Sequence, residues 1–187
     1  MTDIKNARIL ILATDGFEQS ELTVPRDDLR KAGATVDVAS PEGKAIRGWS
    51  GKDWGETVQS DLRIADADPS SYDALVLPGG QINPDVLRVD EDAMRVVKSF
   101  LDAGKTVAAI CHAPWLLAQA DALKGRKATS YASIRKDIEN AGATWMDREV
   151  VTDQGIITSR SPQDLPAFVK KIVEEIGEGC HERRKVA

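Results

Sequence analysis

A cysteine followed by a histidine, Cys111-His112, stands between the apolar run Thr106–Ile110 and a segment with helical character that carries Pro114 in its first turn. A thiol at such a junction meets unpaired N–H groups and the positive end of a helix. Its thiolate fraction is expected to exceed that of free cysteine, with pKa about 8.5. The small neighbours Ala109 and Ala113 permit the sharp strand-to-helix turn of a nucleophile elbow. The same residues suit a buried structural thiol, since free cysteine commonly packs as a small hydrophobe.

Further groups could serve that sulfur. Gly79-Gly80 follows the run Tyr72–Leu77 and Pro78. Lacking Cβ atoms, these glycines let N–H groups face a reacting centre and, with the His112 N–H, form an oxyanion hole; the other reading is a plain turn. Glu18 follows the Asp15-Gly16 turn. Beside a thiol it would resist ionising and donate a hydrogen bond, the pair titrating as a unit with the carboxyl up and the thiol down; otherwise it is a solvated carboxylate at a helix N-terminus. His112 can act as a base if the elbow turns both side chains into one pocket, and its ring then needs an orienting acid. Asp85 is that candidate, against a helix-capping role.

These residues need a scaffold that gathers strand ends. The chain has 187 residues, 42% apolar and 29% charged, which suits one domain over 1–187 with a core of about 8–176 and a loose tail at 177–187. Its net charge of −5 and the lack of a long basic run argue against nucleic acid as a partner. No apolar stretch approaches a membrane span and no leader pattern opens the chain, so a soluble cytoplasmic protein is expected. Two cysteines exclude a disulfide framework, and with two histidines they make no convincing zinc site.

Apolar runs at 8–13, 35–40, 72–77 and 106–110 read as buried strands, with a helix from an N-cap at Thr23 to a stop at Gly33, and another from Asp90 to Asp102. Residues 41–61, holding Trp49 and Trp54, read as a loop or small hairpin, the tryptophans covering a subunit surface, a pocket rim or the core. Helices are expected at 112–122, 134–140 and 162–176, a short strand at 127–130, and a hairpin from 144–152 and 156–159. This alternation predicts an open, doubly wound α/β sheet, whose ligands bind beyond the carboxyl ends of the strands. Glu18, Gly79-Gly80 and Cys111-His112 all fall at such ends. Cys180-His181, past the last helix, receives no role.

Together Ala109-Ile110-Cys111-His112-Ala113-Pro114, Leu77-Pro78-Gly79-Gly80, Asp15-Gly16-Phe17-Glu18 and Gly125-Arg126-Lys127-Ala128-Thr129-Ser130-Tyr131 resemble the motifs of the ThiJ/PfpI family, in the class I glutamine amidotransferase-like superfamily. The resemblance runs from about Ile9 to Ile176. It implies a flavodoxin-like three-layer α/β/α sandwich with a mostly parallel sheet and a small hairpin. It also implies Cys111 as nucleophile, Glu18 hydrogen-bonded to the sulfur, an oxyanion hole from Gly80 and His112, Tyr131 near the pocket, and homodimers or larger assemblies. In PfpI-type peptidases the histidine pairs with a glutamate of a neighbouring subunit; the matching position here is Asp85, one methylene shorter, which weakens the peptidase reading.

A small electrophilic carbonyl suits such a site, because thiolate attack gives a hemithioacetal whose oxyanion the N–H groups hold. The favoured expectation is a stress-protective, cofactor-independent cysteine enzyme acting on methylglyoxal or early glycation adducts of proteins. The alternatives are a PfpI-type peptidase and a non-catalytic redox sensor or stress chaperone working through oxidation of Cys111.

Overall fold

The computed structural model describes residues 2–179. Strand β1 (Arg8–Leu12) leads through the short β2 (Phe17–Glu18) into α1 (Gln19–Lys31), and β3 (Thr35–Ser40) returns beside β1. There follow β4 (Ile46–Ser50), β5 (Asp53–Val58), β6 (Leu62–Arg63), β7 (Ala74–Leu77), α2 (Ile82–Leu87), α3 (Glu91–Asp102) and β8 (Thr106–Ile110). The chain continues as α4 (Pro114–Gln119), β9 (Lys127–Ala128), α5 (Arg135–Asn140), β10 (Thr144–Trp145), β11 (Val150–Asp153), β12 (Ile156–Ser159) and α6 (Leu165–Glu178).

Seven strands form the central sheet in the order β11-β12-β8-β7-β1-β3-β6. Every neighbouring pair is parallel except the β11–β12 hairpin at one edge. Successive side chains on a strand point to opposite faces, so a strand covered on both sides must be apolar throughout. In β1, Leu10 and Leu12 enter one core with Val97 and Phe100 of α3, Leu116 of α4 and Ile138 of α5. Ile9 and Ile11 enter the other, with Leu22 and Leu29 of α1 and Phe168 and Ile172 of α6. The result is the expected three-layer α/β/α sandwich of flavodoxin-like type.

Several element boundaries differ from the sequence expectation. Helix α1 begins at Gln19, one turn before Thr23, whose hydroxyl donates to the Gln19 carbonyl (2.9 Å) and therefore caps nothing. Segment 41–61 is a hairpin, β4 antiparallel to β5, which β2 extends on one side. Residues 82–87, where no helix is expected from the sequence, form α2, with Pro84 near its start where a missing N–H costs least. The helix after Cys111 is confined to 114–119 because Asp121 takes a positive φ of 56°. Segment 144–152 splits: β10 pairs with β9, and only β11 joins the hairpin.

Helix α6 carries regular structure to Glu178, beyond the start expected for a loose tail; Cys180-His181 lies outside the described residues. Among the described residues no helix is long and apolar enough to cross a membrane.

Candidate active site

The carboxyl ends of β1, β7 and β8 open on a cleft of about 580 Å³, lined by Glu18, Glu21, Gly80, Cys111, His112 and Tyr131 among others. Buried β8 delivers Cys111 with φ at +64°, a left-handed conformation that costs a non-glycine residue about 1–3 kcal/mol. Its surroundings hold it there. The Cys111 N–H donates to the Ser159 carbonyl (3.0 Å), and the Tyr131 N–H donates to the Cys111 carbonyl (2.8 Å). The elbow inferred from the sequence is present, and the thiol, only 6% exposed, borders the cleft.

The sulfur meets four polar groups. The main-chain N–H groups of Gly80 and His112 donate to it. His112 Nδ1 lies 3.1 Å away. The fourth is the carboxyl of Glu21, which shares a hydrogen bond with the thiol.

Glu21 takes the place at the thiol expected for Glu18. Because α1 starts at Gln19, Glu21 falls on the face that also buries Leu22, Pro25 and Leu29, while Glu18 precedes the helix. Glu21 is fully buried. Its Oε2 accepts the Gly79 N–H at 2.9 Å, and among the described residues its Oε1 has no partner of ordinary hydrogen-bond geometry. Glu18 lines the same cleft but bonds Ser20, whose hydroxyl donates to its Oε1 at 3.4 Å.

Gly79 is likewise reassigned. Its N–H is committed to Glu21, so it offers nothing to an oxyanion. Its lack of a side chain is still required: a Cβ there would stand 2.5 Å from Glu21 Oε2 and 2.6 Å from Cys111 Cβ. Gly80, at φ +81°, packs as tightly, with a Cβ falling 2.5 Å from the Gly16 carbonyl oxygen.

Burial raises Glu21 from 4.5 to about 8, the nearby Glu18 charge adds to the rise, and the Gly79 N–H and the thiol oppose it. The carboxyl is therefore protonated at neutral pH. Burial also pushes the Cys111 thiol up, as would a charge on Glu21, while the Gly80 and His112 N–H groups pull it down. The balance is upward, opposite to the sequence expectation, which weighed main-chain donors and the helix end but had no measure of burial. A proton on Glu21 removes one of the two main upward causes. Burial holds His112 below its usual pKa, leaving a neutral ring whose nitrogens divide donor and acceptor roles.

That ring is positioned by Ser133, which the sequence reading did not assign, and by Tyr131, which it did. His112 Nε2 faces Ser133 Oγ at 3.1 Å, and Tyr131 stacks on the ring with centroids 4.8 Å apart. Tyr131 thus lies at the cleft as expected. Asp85 is not brought to His112 within the chain; its exposed carboxylate accepts from Arg88 at 2.6 Å. Among the described residues, no cluster of three or more His, Cys, Asp or Glu is placed to hold a metal ion.

The sequence pattern of the DJ-1/PfpI family matches residues 7–175. The chain belongs to this family. Among its relatives, Deglycase TK1284 of Thermococcus kodakarensis is 44% identical over 167 residues, covering 89% of this chain and 98% of that one. Protein/nucleic acid deglycase 2 of Escherichia coli is 42% identical over 172 residues, covering 91% and 98%. A solved two-domain protein of Anabaena variabilis, containing DJ-1/ThiJ/PfpI-like and ferritin-like domains, superposes with a TM-score of 0.86 at 34% identity. That match covers 97% of this DJ-1/PfpI chain and 52% of the larger protein.

Of the two missed residues, one carried a signal in the sequence. Glu21 stands at i, i+1, i+4 and i+8 spacing with Leu22, Pro25 and Leu29, which is the period of one helix face. Ser133 lies 21 residues from His112 and has no such pattern, so only the folded chain joins them.

Proposed function

We propose that this DJ-1/PfpI protein is a cysteine-dependent enzyme that converts methylglyoxal, free or carried as an early glycation adduct on protein, into lactate. The observation that carries the reading is the pairing of Cys111, held at the elbow, with a Glu21 carboxyl kept protonated up to about pH 8. The relatives named deglycases support it. One relative's name includes nucleic acid, but among the described residues no lysine or arginine lines this cleft to meet a phosphate.

The thiol proton passes to His112 Nδ1, 3.1 Å away, as sulfur adds to the aldehyde carbon and the carbonyl π pair moves to oxygen. The N–H groups of Gly80 and His112 hold that oxygen, and Glu21 protonates it, giving a hemithioacetal. With an adduct on a protein nitrogen, the C–S bond forms as the C–N bond breaks and the amine or guanidino group leaves with a proton, so both substrates reach the same intermediate. The Glu21 carboxylate then takes the hydrogen from the sulfur-bearing carbon as a proton and returns it to the neighbouring carbon, while the protonated His112 gives its proton to the ketone oxygen and takes the one on the first hydroxyl. One carbon is oxidised to the carboxyl level as the other is reduced from ketone to alcohol, and no external oxidant enters. Water cleaves the resulting lactyl thioester, its oxygen going to the lactyl carbon and one of its protons to the sulfur, and the His112 proton passes back to Glu21, so the thiol, the neutral imidazole and the protonated carboxyl are all restored.

Wild type and Cys111→Ser are to be assayed for lactate release from methylglyoxal and from a methylglyoxal-treated peptide, with casein cleavage as a third arm. Loss of lactate release by more than about a hundredfold in the variant is expected. Equal activity in both proteins would retire Cys111 as nucleophile. Casein cleavage that disappears with the thiol would favour a peptidase.

A further inference from the structure

The mechanism leaves Glu18 unused, although it faces the same cleft. Glu18 and Trp49 are directly opposite in the parallel β2–β4 pairing and both line the cavity. Residues opposite one another in a strand pair project to the same side, so a carboxyl and an indole stand next to each other at the approach to Cys111. The indole is fixed in place. Its Nε1–H donates to the Gly51 carbonyl at 3.1 Å, and Trp54 packs against it edge-on at 5.5 Å between centroids. The hairpin is clasped to the start of α1 by the Glu56 N–H, which donates to Gln19 Oε1 at 2.7 Å.

Glu18 itself has no ion-pair partner among the described residues, and its side-chain hydrogen-bond partner is the Ser20 hydroxyl. Among the described residues no lysine or arginine lines the cleft. A half-buried carboxylate without a cation beside a rigid aromatic face is the complement of a flat, delocalised positive charge. Such a charge satisfies the carboxylate by paired N–H donors and lies on the indole by cation–π attraction. We propose that Glu18 and Trp49 form a guanidinium subsite that selects carbonyl adducts carried on arginine side chains.

The inference rests on the reading of Cys111 as a carbonyl-adduct nucleophile, and it names the substrate class for that site. A lysine adduct carries its carbonyl fragment on a nitrogen that has become an ordinary amine, whereas an arginine adduct keeps a delocalised cation next to the carbon under attack. The subsite therefore distinguishes arginine adducts from lysine and thiol adducts, and the chain's net charge of −5 adds to the attraction for cationic segments.

The test uses the full chain and needs no turnover. Iodoacetamide alkylation of Cys111, followed on its own peptide by mass spectrometry, is measured with Nα-acetyl-arginine amide or its neutral isostere Nα-acetyl-citrulline amide as protectant. The arginine compound should protect at about one-tenth the concentration the citrulline compound needs, the factor expected for one charge-assisted contact. Glu18→Gln should bring the two concentrations together. Trp49→Leu, which keeps the charge, should narrow the ratio to a few-fold. Equal protection in wild type would overturn the proposal, as would a tenfold preference that survives either substitution. A preference that persists in a protein with no lactate release would discard the Cys111 chemistry and leave the cation subsite standing; the converse result would do the opposite.

Discussion

Replacing Glu21 by glutamine tests the electrostatics of the site without using activity. The amide is nearly isosteric, and its oxygen can still accept the Gly79 N–H that now meets Oε2 at 2.9 Å. What it removes is the titration. A carboxyl whose pKa rises from 4.5 unfolded to about 8 folded binds more protons in the folded state throughout that interval. Its stabilising contribution is complete below the unfolded value and is lost as pH climbs through the folded one, a total of about 5 kcal/mol. His112 acts in the opposite sense: burial lowers its pKa, so it costs stability as pH falls below its unfolded value of 6.5. Between pH 6.5 and 8 the carboxyl therefore dominates. Urea unfolding across that window should show wild type losing about 2 kcal/mol while Glu21→Gln stays nearly flat and becomes the more stable protein at the upper end. A flat wild-type profile, or the same slope in both proteins, would mean that Glu21 is not held protonated, and the proton transfers assigned to it would fall.

Two further outcomes follow from the contacts around the elbow. Ser133→Ala removes the partner of His112 Nε2, whereas Asp85→Ala removes only an exposed ion pair with Arg88. The first should lower kcat several-fold and the second should cost less than about 1 kcal/mol of stability and less activity than Ser133→Ala; steady-state kinetics that reverse this order would assign the histidine to Asp85. Gly80→Ala forces a side chain at φ +81° to within 2.5 Å of the Gly16 carbonyl oxygen and displaces the N–H that donates to the sulfur. Urea unfolding should register a loss of about 1–3 kcal/mol, with the alkylation midpoint of Cys111 moving to higher pH. Unchanged values would show that the backbone there accommodates a Cβ.

What was legible in the sequence came from local chemistry and period. Continuous apolar runs marked β1, β3, β7 and β8, because a strand covered by helices on both faces can carry no polar alternation. Cys111 and Gly80 were visible because a strand end followed by small residues is a local arrangement, and the chain places both at the cleft. The tertiary structure decided which acid serves the sulfur. Glu18 and Glu21 are alike in type and three residues apart, and the choice depends on where α1 starts and which of its faces packs on the sheet. It also decided that the Gly79 N–H is committed to Glu21, that within the chain Ser133 rather than Asp85 meets the imidazole, and that burial raises the pKa of both acidic groups at the sulfur. Residue type and spacing specify which groups a chain can offer; desolvation and the partner across a cleft arise from packing, and these set the protonation state on which the chemistry rests.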